Sequence, residues 1–66
     1  MQAFEVGDEV SMTVIEGGYM SRKTFTVAAA TLSGTGRWVY QLKSGENTSD
    51  LYEGGKWFQE STLRYV

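Results

Sequence analysis

Polar and apolar positions alternate over much of the chain. The clearest case is residues 37–43, where Trp38, Tyr40 and Leu42 share one face. Arg37, Gln41 and Lys43 share the other, with Val39 the single apolar exception. That period of two marks a half-buried strand, and glycine-bearing turn signals on both sides make it the middle strand of a small sheet. Nearer the start, Val10, Met12 and Val14 alternate with Glu9, Ser11 and Thr13 after a Gly7-Asp8 turn signal. This predicts a first strand of about eight residues with one wet face. Residues 16–23 open with two glycines, close with Arg22 and Lys23, and show no period. They read as a loop of about eight residues, a length that tends to carry function.

Residues 24–32 begin as a second strand, with Phe25 and Val27 inward and Thr24 and Thr26 outward. The alanines at 28–30 favour helix intrinsically, but the run is short, flanked by threonines and followed at once by a turn. A bulge there would return Leu32 to the core face. Residues 33–36 form a tight turn, 44–50 are polar and turn-forming, and 51–53 suggest a short strand piece. Gly54 and Gly55 mark a further turn or bulge, 56–59 a fourth strand, 60–62 a single helical turn, and 63–66 a last short strand. The expectation is one all-β domain over residues 1–66: a barrel or sandwich of five short strands. A closed or half-closed barrel is favoured because closure removes exposed edges.

Composition sharpens this picture. With 66 residues the core is small, and burial barely exceeds the ordering cost. There are no cysteines and no histidines, so disulfides and thiolate or imidazole metal sites are excluded. What remains is large apolar side chains: two Trp, four Tyr and three Phe. The formal net charge of −2 disfavours nucleic acid as a partner. No apolar run reaches the roughly 20 residues of a membrane span, so no membrane association is expected. Glu5, Asp8 and Glu9 stand where a signal peptide would be apolar. That and the lack of cysteine suit an intracellular compartment, cytoplasmic or nuclear.

The order of these parts resembles the Src-homology-3-like small barrels, a group that includes the Tudor, chromo-barrel and retroelement integrase C-terminal domains. The resemblance is carried by Phe4, Gly7, Asp8 and Val10 at the start, Phe25 with Val27, and Tyr40 with Leu42. At the close it is carried by Phe58, Ser61, Leu63, Arg64 and Tyr65. It implies a five-stranded antiparallel barrel with a long first loop and a one-turn 3-10 helix before the last strand. Integrase tails are basic and often carry a proline near the final aromatic, whereas this chain is acidic and has none.

Candidate chemistry is sparse. Serine and threonine have no histidine to activate them, and there is no cysteine nucleophile. Asp8 and Glu9 are adjacent in an extended segment and point to opposite faces. No phosphate-binding glycine motif precedes a helix. The expectation is a non-enzyme without cofactor or metal.

The aromatic residues carry more information. Tyr19, Trp38, Tyr52 and Trp57 lie in or beside predicted loops, where a barrel mouth or groove would form. Phe25, Tyr40 and Phe58 occupy inward positions. The first four, rimmed by Arg22 and Glu53, are the candidate contact surface for a protein or peptide, with rings as anchors and charges for orientation. They suit a peptide groove or a cage for a methylated ammonium group. The competing reading is that these rings thicken a thin core or bury themselves in a homo-oligomer. Arg37, Lys43 and Lys56 could form a basic stripe beside Trp57 for single-stranded nucleic acid, against which stands an ordinarily solvated β surface. Asn47, Thr48 and Ser49 spell a glycosylation sequon, read here as a polar loop.

Overall fold

A computed structural model of the chain describes residues 2–45 and 48–66. The sequon's Asn47, with Glu46 in the same polar loop, lies outside the described residues. The chain is all-β. It forms one antiparallel sheet of five strands: β1 (Glu9–Glu16), β2 (Tyr19–Leu32), β3 (Trp38–Lys43), β4 (Phe58–Gln59) and β5 (Arg64–Tyr65). Their order across the sheet is β4-β3-β2-β1-β5, and the sheet curls into a half-barrel. Two single-turn 3-10 helices complete it, η1 (Tyr52–Gly54) and η2 (Glu60–Thr62), the second immediately before β5. No α-helix occurs among the described residues, and none of their helices is long and apolar enough to cross a membrane.

The expected first strand has the expected length, but the long first loop does not exist. β1 and β2 are joined by Gly17 and Gly18 alone, and the ladder runs without interruption from Glu9↔Thr26 to Glu16↔Tyr19. Both glycines take positive φ, +56° and +85°, which a two-residue hairpin turn of matching twist requires. Residues 19–23 show no alternation because both faces of this end of the hairpin are exposed. Backbone pairing, not burial, holds them extended.

The expected bulge falls between Val27 and Ala29 in the pairing of β2 with β3. It sets Ala30 opposite Tyr40 and Leu32 opposite Trp38, so Leu32 does change phase. It nevertheless lies past the end of the core and is 55% exposed, not buried as expected. Residues 51–53 are not a strand piece. Leu51 makes one bridge to Lys43 and the chain then turns into η1. Gly55 ends that turn at φ +96°, where a Cβ would stand 3.2 Å from Gln41 Nε2 and 3.3 Å from the Leu51 side chain. Gln41 Nε2 instead donates to the Gly55 carbonyl at 2.8 Å.

The core lines the concave face: Val10, Met12 and Val14 from β1, Phe25 and Val27 from β2, and Tyr40 and Leu42 from β3. Phe4 and Leu63 are also buried in it, and Trp38, Tyr52 and Phe58 pack against it half-buried. Hydrogen bonds converge at one end of the half-barrel. The buried Tyr40 hydroxyl donates to Glu60 Oε2 at 2.8 Å and accepts from the Phe4 N–H at 3.3 Å. The Ala3 N–H donates to the same Glu60 oxygen at 3.1 Å. Tyr65 donates to the Ala3 carbonyl at 2.6 Å, and its ring meets Phe4 edge-on at 4.8 Å between centroids. The N-terminal arm, β3, η2 and β5 are thereby tied together where the sheet alone does not close.

Candidate functional site

The other seam of the half-barrel stays open. An open groove of ≈ 540 Å³ runs between β1 on one side and η1 with β4 on the other. Its floor is apolar: Met12 and Val14 are buried, while Tyr52 and Phe58 are half-buried. Tyr52 is fixed by its neighbours, 4.6 Å from the Phe25 ring and stacked on Phe58 at 5.8 Å. The rim is exposed, with Ile15 75% and Trp57 43% accessible. Glu53 and Lys56 supply its charges, and Gln59 and Thr62 add polar lining. The groove is lined by Met12, Thr13, Val14 and Ile15 in unbroken succession. Successive strand side chains point to opposite faces, so a groove touching four in a row meets β1 along its edge.

The electrostatics of this region are local. The Lys56 ammonium sits 5.5 Å from the centroid of the Phe58 ring, a cation–π contact on the groove's aromatic wall. Lys23 and Glu16 form an exposed ion pair near the hairpin tip. The hydrogen bond and charge of Glu16 raise the Lys23 amine above its usual 10.5. Glu53 has no ion pair or hydrogen bond among the described residues. It is also the one described non-glycine residue with positive φ, at +55°. That backbone region is costly for a side chain with a Cβ and recurs at ligand sites.

Of the six candidate residues, the structure brings three together: Tyr52, Glu53 and Trp57 line the groove. The other three lie elsewhere. Trp38 begins β3 opposite Leu32 and packs half-buried against the core. Tyr19 is at the hairpin tip, 79% exposed. Arg22 lies on the β1–β2 ribbon and donates to Thr13 Oγ1 at 3.1 Å and Ser11 Oγ at 3.3 Å. Sequence reasoning missed the β1 side of the groove. Met12 and Val14 read as plain core, and no signal in a strand's own residues tells that its next neighbour in the sheet will be short.

Comparison with protein-family models, with curated proteins and with solved structures found no match.

Proposed function

We propose that the chain is a non-catalytic binding module of the Src-homology-3-like small-barrel type, and that the groove between β1 and β4 is its contact surface for a protein or peptide. The observation that supports this is an apolar, aromatic-lined groove left open in a domain too small to spare burial. Tyr52 and Phe58 line its floor, and Trp57 and Ile15 stand exposed at its rim with one charge of each sign, Glu53 and Lys56. Rigid aromatic side chains offer large contact area at low entropic cost, the usual composition of binding anchors.

The test is selection of binders from a displayed library of random peptides against the wild-type domain, followed by titration against Trp57→Ala. The expected result is a Trp57→Ala domain that melts cooperatively but binds the selected peptides at least about tenfold more weakly. A folded Trp57→Ala domain that keeps full affinity would refute the reading. So would unfolding of the variant, because Trp57 would then belong to the core.

A further inference from the structure

The edge of β1 carries chemistry beyond the groove's side chains. β5 pairs only with Val10 and Ser11, whereas β1 continues to Glu16. From Met12 onward one edge of β1 therefore has no neighbouring strand. The hairpin decides which backbone groups lie there. Glu16 and Tyr19 flank a two-residue turn and are a hydrogen-bonded pair, so Val14 and Met12 also turn their N–H and C=O groups to β2. Thr13 and Ile15 turn theirs outward. Among the described residues, no hydrogen bond outside the strand ladder reaches those backbone groups.

Two outward donor–acceptor sets, two residues apart, are the repeat of an antiparallel or parallel ladder. Folded domains blunt such edges with proline, lysine or a covering loop. Between Met12 and Glu16 this edge has none of the first two, and it opens into the apolar groove.

Charge narrows the occupant. The ring of Phe58 already holds one ammonium, that of Lys56. Lys56 keeps its charge on that ring, so the rim carries one charge of each sign; Glu53, beside Tyr52 and Trp57, is the one with no ring, ion-pair or hydrogen-bond contact among the described residues. With a chain of net charge −2, a cationic segment is attracted and an acidic one repelled.

We propose that an extended partner segment, carrying a lysine or arginine among apolar residues, adds to β1 as a sixth strand. Its backbone bonds to Thr13 and Ile15, and its cation turns toward Glu53. The proposal rests on the groove reading above and specifies the ligand class and binding mode.

The test is amide hydrogen exchange by NMR on the whole chain, alone and with a pool of end-blocked peptides in which Val, Ile and Thr alternate around a single Lys. In the free protein, Thr13 and Ile15 exchange quickly while Met12 and Val14 are protected. With the pool at on the order of 1 mM, Thr13 and Ile15 slow by at least about tenfold. The same pool with Glu for Lys, or with alternate backbone nitrogens methylated, binds about tenfold more weakly. Thr13→Pro removes the outward N–H and weakens binding, whereas Thr13→Val leaves it intact.

If peptides perturb Trp57 fluorescence while Thr13 and Ile15 keep exchanging, strand addition is wrong and the groove reading survives. If no peptide of this pool or of the random library binds, both fall. Protection of Thr13 and Ile15 in the free protein that grows with its concentration would assign the edge to a second copy of the chain and overturn the proposal.

Discussion

The two seams of the half-barrel solve the same geometric problem in opposite ways. A short sheet cannot close on itself, so gaps remain where β5 and β4 stop. At one seam the gap is filled from within: Phe4 inserts, and Tyr40, Glu60, Ala3 and Tyr65 join four segments through hydrogen bonds to a few shared atoms. At the other, β1 outruns β5 by five residues and faces η1 and β4 across an unfilled groove. In a domain whose net stability is only a few kcal/mol, leaving one seam open is costly in burial. The contrast teaches that the side-chain hydrogen bonds tying separate segments together gather at one end, while the other keeps its apolar side chains beside an open groove. The two tryptophans divide in the same way, Trp38 against the core and Trp57 on the groove rim.

The largest expected effect lies at the closed seam. Tyr40 is fully buried, and Tyr40→Ala removes both its ring packing and its hydroxyl. It should cost about 3–5 kcal/mol, enough to abolish the thermal transition followed by circular dichroism.

Next is Trp38→Ala, expected to cost about 2 kcal/mol because the ring is only half-buried. Trp57→Ala should cost less than about 1 kcal/mol, as read by denaturant midpoints. A cost for Trp57→Ala equal to that for Trp38→Ala would erase the distinction between the seams. Acrylamide should quench Trp57 and spare Trp38.

Between the two tryptophan variants falls Tyr40→Phe, which deletes the donor to Glu60 and the acceptor for Phe4 and should cost about 1–2 kcal/mol. It also carries a pH signature. Burial, followed by the hydrogen bond to Glu60, raises the Tyr40 phenol above its ordinary 10.0. The folded state therefore holds the proton more tightly than the unfolded chain. The associated stability is complete below about pH 10 and is lost as pH rises through the higher folded value. Wild-type stability should fall in that alkaline window more steeply than that of Tyr40→Phe. Parallel curves would show that this phenol is not the linked group.

The smallest effect is at the open seam. Glu53→Gly relieves a left-handed backbone at the expense of a more flexible unfolded chain. It should change stability by no more than about 0.5 kcal/mol, while weakening binding of lysine-bearing peptides.

Much of the fold was legible in residue patterning, because alternation reports burial directly. β1 and β3 follow Val10-Met12-Val14 and Tyr40-Leu42, and the bulge follows from the small residues at 28–30. The all-β, five-stranded architecture with a 3-10 turn before β5 was likewise readable. Elements held by backbone pairing without burial were not. Residues 19–23 carry no alternation, although Gly17 and Gly18 are a two-residue turn signal that, taken alone, would have extended both strands. Residues 51–53 look like a strand by composition, but Gly54 and Gly55 pull them into a turn. The candidate site was half legible. Tyr52, Glu53 and Trp57 are close in sequence and converge. Trp38, Tyr19 and Arg22 were grouped with them by position beside predicted loops, and one of those loops is in fact strand.

The hydrogen bond from Tyr65 to Ala3 brings the first and last described segments side by side. A short linker could therefore connect them and new ends be opened in the exposed turn at Gly34, where an added Cβ would meet no atom within 4 Å. Such a circular permutant would keep every strand pairing and the groove intact. By the same adjacency, a graft of this segment into a loop of a host protein would enter and leave at nearly one point.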